Sequence, residues 1–153
     1  MVNIRELIKS GRVSRIKETE VERYLAFYKE SSKDNKEHAE ATKETFPRWS
    51  IISGYYSMHD AAKLFLAKKY RFKMERKVHE TTIAMLSLVL KSDTAIGLIK
   101  EGYEAFLSLA KDLSDAKKER VKVQYYTGTQ FMKERYQEFS SRFLEDTVLP
   151  FLE

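Results

Sequence analysis

The sequence predicts an all-α protein, an antiparallel up-and-down bundle of five to six helices, and three observations support this fold class. Only 5 of the 153 residues are glycine and only 2 are proline. Ala, Leu, Glu and Lys are plentiful, which favours helices over a turn-rich sheet. Apolar residues recur about every three or four positions along most of the chain, and the segments between these runs are short and polar. No part of this pattern indicates a sheet.

The N-terminal part of the chain is predicted to hold two helices. Residues 3–10 form a short helix that Gly11 stops, and a second helix begins near Glu18. The second helix then meets a polar stretch, residues 31–35. Periodicity leaves two alternatives there, a break in the helix or one long helix that continues to about Thr45.

The third helix is predicted to run from Pro47 to about Lys69, because proline suits the first turn of a helix. Residues at helical spacing form its expected core stripe, namely Ile51, Tyr55, Met58, Ala62 and Phe65. A second row lies about a quarter turn away on the same helix and contains Tyr56, His59, Asp60 and Lys63. This row places an aromatic ring, an imidazole, a carboxylate and an ammonium on adjacent turns. Such a set suits either a nucleotide, by stacking and ion pairing, or a dimer interface.

The rest of the chain is predicted to continue as helices. A basic connection, residues 70–77, leads into an unusually apolar helix from about Val78 to Lys91. Asp93 is expected to cap the next helix, which runs to about Leu113, with residues 114–124 either helical or extended. A last helix follows Gly128 and Thr129 and is expected to end at Pro150.

Length, cysteine content and hydropathy set the expectations for the whole chain. We expect residues 1–153 to form a single domain, which needs no disulfide or metal to be stable. There are no cysteines, which excludes thiol catalysis and thiolate metal sites. No apolar run approaches the roughly 20 residues needed to cross a bilayer, so we expect a cytoplasmic protein without a membrane segment. The net charge of +5 is a weak indication of an anionic partner.

His79 and the basic connection before it form the candidate ligand site. A helix N-terminus favours the neutral imidazole, which could hydrogen-bond a base or take a proton, although a buried core histidine would fit the same position. The densest cationic cluster of the chain comes immediately before His79 and could attract phosphates, or could be a solvated loop. It comprises Lys68, Lys69, Arg71, Lys73, Arg76 and Lys77. Signatures of metal sites, serine hydrolases and phosphate-binding glycine loops are missing, so we expect no metal and no cofactor.

Two segments resemble the HEPN family, small helical proteins named for nucleotide binding in higher eukaryotes and prokaryotes. The first is GYYSMHDAAKLFLAKKYRFKMERKVHETTIAML, residues 54–86, with paired aromatics, a small residue, Met and two alanines, followed by a helix that opens at His79. The second is AKKERVKVQYY, where Ala116, Arg120 and Tyr125 match the family's spacing. The resemblance implies a helical bundle that dimerises, with Arg120 and Tyr125 near the ligand.

The resemblance also implies a function connected with nucleotides or RNA. Many relatives pair with a minimal nucleotidyltransferase in toxin–antitoxin-like systems, and others are metal-independent ribonucleases. The ribonucleases carry an Arg roughly four to six residues before a His. Arg76 is closer than this to His79 and Arg71 is farther away. We therefore predict a non-enzymatic module that binds a nucleotide or RNA, with a ribonuclease or a structural adaptor as the alternatives.

Overall fold

The protein, described by a computed structural model at residues 3–119 and 138–152, is mostly helical (81%). The predicted all-α class is thus confirmed at the level of helix content. The described residues form six helices and a small sheet. The helices are α1 (Ile4–Lys9), α2 (Val21–Thr42), α3 (Pro47–Tyr70), α4 (Val78–Val89), α5 (Asp93–Glu119) and a C-terminal helix over residues 138–152, and the strands are β1 (Val13–Arg15) and β2 (Phe72–Met74).

The two strands correct the expectation that the chain contains no sheet. β1 and β2 pair antiparallel, with Val13 opposite Met74 and Arg15 opposite Phe72. Val13, Phe72 and Met74 are buried, so one side of this sheet belongs to the core. The basic connection between α3 and α4 therefore contains a strand. Three residues of alternation are too few for a pattern to distinguish a strand from a loop.

Helix α2 is continuous through the polar stretch, residues 31–35. Of the two alternatives that periodicity left open there, a break or one long helix, the long helix is the one observed. The Ser31 and Asn35 side chains donate hydrogen bonds to Asp60, and the Ser32 hydroxyl donates to the Ser57 carbonyl. These polar residues therefore face α3. Farther along α2, His38 contacts the Ser53 hydroxyl and the Ala39 carbonyl accepts from Ser50, so residue numbers on α3 fall as those on α2 rise and the two helices run in opposite directions.

The later helix ends differ from prediction. The Ser92 hydroxyl accepts a hydrogen bond from the Ala95 N–H, so Ser92 rather than Asp93 caps α5. Helix α5 continues through residue 114 to Glu119, while residues 120–124 lie outside the described part. Pro150 does not end the last helix, which continues to Leu152. A π-helical turn, Leu144–Val148, precedes this proline and avoids the clash that an α-helical turn would make with its ring.

Helix α3 is the centre of the core. Four of its five predicted core residues are buried, while Phe65 is half-buried. Small residues on other faces let neighbouring helices approach closely. A Cβ atom placed on Gly54 would lie 3.0 Å from Val148 Cγ2 and 3.3 Å from Phe143 Cε2. The C-terminal helix therefore packs directly on the α3 backbone.

Gly54→Ala is expected to lower the free energy of unfolding by about 1–3 kcal/mol, because the added methyl group overpacks this contact. Gly97→Ala is the matched control. Its Cβ would meet nothing within 4 Å, so the better helix propensity of alanine should stabilise the protein by about 1 kcal/mol. Urea titration of both variants measures the two effects. Equal stability of the two variants would contradict the close packing at Gly54.

Within residues 3–119 and 138–152, none of the helices is both long enough and apolar enough to cross a membrane.

Candidate functional site

His79 lies in the first turn of α4 and is held by Tyr55 of α3. The Tyr55 hydroxyl and His79 Nδ1 are 2.7 Å apart. Burial, followed by the neighbouring Tyr103 and Tyr56, raises the pKa of Tyr55, so its hydroxyl keeps its proton. The direction of this hydrogen bond depends on the His79 tautomer: the hydroxyl donates to Nδ1 when the neutral imidazole carries its proton on Nε2.

The half-buried His79 ring is part of an aromatic cluster that joins three helices. It stacks on Tyr103 of α5, with 5.6 Å between ring centroids and 11° between ring planes. Tyr56 meets the imidazole edge-on at 5.8 Å. We call this set the His79 cluster, and its members are Tyr55, Tyr56, His59, His79, Tyr103 and Phe106. Tyr56, His79, Tyr103 and Phe106 are all partly exposed, so the cluster reaches the surface.

His59 is the innermost polar member of the His79 cluster. It is 2% exposed, and its ring centroid lies 4.5 Å from that of His79. Neither of its ring nitrogens has a hydrogen-bond partner of normal geometry. Burial, with smaller effects of Lys63 and His79, lowers the pKa of His59 to about 3, and a weaker interaction with the Val78 backbone opposes this shift. His59 is therefore neutral at physiological pH.

Burial also lowers the pKa of His79 from its ordinary value, and the charge of Lys63 acts in the same direction. The nearby Glu80 opposes this shift. Both imidazoles of the cluster therefore favour the neutral form. A neutral, partly exposed His79 can stack on a flat ring, donate a hydrogen bond from Nε2, or exchange a proton.

Asp60 is turned away from the His79 cluster, toward α2. It is 5% exposed and accepts hydrogen bonds from Ser31 at 2.6 Å and Asn35 at 3.0 Å. Burial raises the pKa of its carboxyl group, while these two hydrogen bonds and Lys63 oppose the rise. His59 and Asp60 thus lie inside the protein. Of the second row predicted on this helix, Tyr56 and Lys63 are the members with exposed surface.

Lys63 lies one helical turn after His59 on α3 and contacts an aromatic residue of α2. Its ammonium is 4.9 Å from the ring centroid of Tyr28 and 3.4 Å from the Tyr28 hydroxyl. Its charge lowers the pKa of both His59 and His79. In the part of the chain that the structure describes, Lys63 makes no ion pair.

Two of the predicted cationic residues, Arg76 and Lys77, come directly before α4 and close to His79. Arg12, which was not predicted as part of the site, is brought to the start of α4 by the sheet, because its Nε donates to the Thr81 hydroxyl at 2.9 Å. The Arg76 guanidinium lies beside Gly11. Lys77 adopts a left-handed conformation with φ of 46°, and its side chain does not cap the helix.

Arg71 lies at the other end of β2, where it ends α3 with a left-handed φ of 61°. The three residues of β2 and Glu75 separate it from Arg76, and the strand alone spans roughly 10 Å. His79, Arg76 and Lys77 are thus neighbours along the chain, whereas Arg71 lies at the far end of β2. The predicted ligand residues Arg120 and Tyr125 lie outside the described residues.

Tyr103, Phe106 and Arg12 belong to this region but were not predicted as site residues. Tyr103 and Phe106 lie three residues apart on α5, a spacing typical of the core face of a helix, and nothing in the sequence connects Arg12 with residue 81. The sequence contained one signal that could have indicated this site, namely the hydroxyl groups of Tyr55 and Tyr103. A tyrosine on a core stripe requires a polar partner for its hydroxyl group, and here His79 is the partner of Tyr55.

Comparisons of the chain with protein-family models, with curated proteins and with solved structures find no match.

Proposed function

We propose that this protein is a non-enzymatic helical module of the HEPN type that binds a nucleotide or RNA at the surface formed by His79, Tyr56 and Lys63. In this proposal the helices form the antiparallel up-and-down bundle of that family. A base stacks against the exposed edge of the His79 cluster, and Lys63 with Arg76 and Lys77 attracts the phosphates.

One observation supports this proposal above the others: the Lys63 ammonium, which makes no ion pair in the described part of the chain, lies against the partly exposed ring of Tyr28 and acts electrostatically on both imidazoles of the His79 cluster. The charge of Lys63 disfavours the protonated forms of His59 and His79. A cluster with a purely structural role would therefore gain little from this ammonium group. A nucleotide requires both kinds of group, a flat surface for the base and a cation for the phosphate. The surplus of positive charge on the chain has the favourable sign.

The proposal includes partners. By its resemblance to the family, the protein forms a homodimer and pairs with a minimal nucleotidyltransferase in a toxin–antitoxin-like system in the cytoplasm. A nucleotidyltransferase reading frame next to the gene would support this pairing. Light scattering of the purified protein tests the dimer.

We expect His79→Ala to weaken binding of nucleotides or short RNAs about 10-fold to 100-fold, because one stacked base contributes roughly 1–3 kcal/mol. Lys63→Gln should weaken binding about tenfold through loss of a phosphate contact. Isothermal titration calorimetry with adenine and guanine nucleotides and with short single-stranded RNAs measures both effects.

Lys9→Gln serves as the control, since Lys9 is an exposed lysine of α1, and it should bind as the wild type does. Circular dichroism of each variant establishes that it is folded. Absence of binding heat from wild-type protein with all of these ligands would remove the ligand from the proposal.

A metal-independent ribonuclease is the second candidate. The hydrogen bond between Tyr55 and His79 fixes the orientation of a half-buried, neutral imidazole, as a general acid or base requires, and Arg76 is the arginine nearest before it in the sequence. This candidate requires that wild-type protein cleave RNA in the presence of a chelator and that His79→Ala abolish the cleavage. An inert wild type excludes it and leaves the binding module.

A further inference from the structure

The turn after α1 and the connection before α4 lie side by side at one end of the small sheet. The Arg12 carbonyl accepts hydrogen bonds from the Glu75 N–H at 2.7 Å and the Arg76 N–H at 3.4 Å. The Arg76 guanidinium lies beside Gly11, where a Cβ atom would be 3.8 Å from Arg76 Cζ. The pairing of β1 with β2 therefore brings together two arginines that are far apart in the sequence.

Arg12 is held in place by the protein but has no carboxylate partner. Its Nε donates to the Thr81 hydroxyl at 2.9 Å, and this hydroxyl donates in turn to the Arg76 carbonyl at 2.7 Å. Thr81 is fully buried, so it fixes the inner end of the half-buried guanidinium. Within residues 3–119 and 138–152, neither Arg12 nor Arg76 makes an ion pair. A guanidinium that has lost part of its hydration without gaining a carboxylate indicates that an anion completes the contact.

Ile8 adds an exposed apolar side chain to the same turn. The Gly11 N–H donates to the Ile8 carbonyl at 3.1 Å, which folds the chain back on the end of α1. Ile8 is 41% exposed, whereas its neighbour Leu7 is buried. We call Ile8, Arg12 and Arg76 the α1 turn surface. Arginine beside an exposed apolar side chain is typical of the surfaces by which proteins bind one another, where arginine is enriched and lysine is depleted.

Acidic side chains around the α1 turn surface argue against an extended polyanion as its partner. Glu6 on α1, Glu75 before α4 and Glu80 on α4 are all exposed. A nucleic-acid backbone or an anionic bilayer presents many negative charges at once and would bring some of them against these carboxylates. A protein segment can instead place single carboxylates opposite the arginines. The mixture of charges therefore fits a protein partner better.

We infer that the α1 turn surface docks an acidic segment of a partner protein, which places a carboxylate on Arg12 and Arg76 and an apolar side chain on Ile8. The forked end of an arginine binds both oxygens of a carboxylate. Because Thr81 already orients Arg12, little side-chain freedom is lost on binding. This inference goes beyond the proposed nucleotide site. Arg76 borders both surfaces, so the test relies on Arg12 and Ile8, which the nucleotide site does not use.

Fluorescence anisotropy with labelled twelve-residue peptides and the full chain tests the docking. The probe peptide repeats Glu-Glu-Leu, and two comparison peptides have Lys in place of every Glu or Ser in place of every Leu. Wild-type protein should bind the probe at least about tenfold more tightly than either comparison peptide. Arg12→Gln should weaken probe binding about tenfold, and so should Arg12→Lys, which keeps the charge and loses the fork. Ile8→Ser should weaken it about fivefold.

Arg48→Gln is the matched control and should bind the probe as the wild type does. Arg48 is exposed in the first turn of α3, roughly 30 Å along the helix axis from the connection that carries Arg76. Circular dichroism establishes that each variant is folded. Ile8→Ser changes only an exposed side chain, so it keeps the test valid even where loss of the Arg12–Thr81 hydrogen bond unfolds the Arg12 variants.

Four results would overturn this inference. They are absence of probe binding by the wild type, equal binding of all three peptides, probe binding unchanged by Arg12→Gln and Ile8→Ser, and tighter binding of phosphatidylglycerol vesicles or of an eight-nucleotide oligoadenylate that Arg12→Gln abolishes. Light scattering provides a further check, because a dimer that dissociates in Ile8→Ser would assign the surface to a second copy of the chain. None of these results depends on His79, so the proposed function stands or fails separately.

Discussion

Acidification from about pH 7.5 to about pH 4.5 is expected to lower the free energy of unfolding by roughly 2–3 kcal/mol through His59 alone. The pKa of His59 falls from 6.5 to about 3 in the folded protein, chiefly because the ring is buried. Below about pH 6.5 the unfolded chain therefore binds a proton at this residue that the folded chain does not bind. Stability is highest above this range and decreases as the pH falls toward 3.

Other groups modify the size of this decrease. His79 adds to it, because its pKa is also lowered in the folded protein. Asp60 opposes it, because burial raises the pKa of its carboxyl group and the folded state takes up that proton first. The pKa of Glu75 is lowered from its ordinary value of 4.5 in the folded protein, so this group adds to the loss of stability below about pH 4.5.

Urea titrations at several pH values measure the decrease, and one variant assigns it. His59→Gln should retain a much smaller slope between about pH 6.5 and 4.5, whatever its stability at neutral pH. A wild type with constant stability over this range, or a His59→Gln variant with the full slope, would show that the imidazole is protonated in the folded protein.

The sequence was sufficient to predict the helices that have long amphipathic repeats. The starts of α3 at Pro47 and of α4 at Val78 are confirmed, and so are four positions of the α3 core stripe. The short sheet was missed because three residues of alternation carry too little pattern. The path of α2 was left open, since the partner of its polar stretch is Asp60, and a partner on another helix cannot be read from local periodicity.

The site, like the fold, was predictable only where its residues are close together in the sequence. Lys77, Arg76 and His79 are neighbours in sequence, so their proximity follows from the chain itself. Tyr103 reaches His79 only through the packing of α5 on α3 and α4, and Arg12 reaches Thr81 only because β1 pairs with β2. The burial of His59 likewise depends on the approach of α4. Helical spacing placed His59 beside the core stripe, but it could not specify which neighbouring helix covers it.

Tyr55→Ala is expected to cause the largest loss of stability of any single substitution considered for this protein, about 3–5 kcal/mol. Tyr55 is fully buried, and its ring contacts both histidines as well as Tyr103 and Phe106. Removing the ring leaves a cavity among these side chains, and His79 Nδ1 loses its partner. Urea titration at neutral pH measures the effect. Tyr70→Ala, at the half-buried end of the same helix, is the control and should cost much less.

Tyr55→Phe separates the hydrogen bond from the packing of the ring. This variant should lose only about 0.5–1.5 kcal/mol, because it keeps the ring and removes the hydroxyl group. It also frees His79 Nδ1, so the imidazole is no longer fixed in one orientation. If the orientation of His79 matters to the ligand, Tyr55→Phe will bind RNA more weakly than the wild type at temperatures where both are fully folded. Wild-type affinity in Tyr55→Phe would assign the Tyr55–His79 hydrogen bond to stability alone.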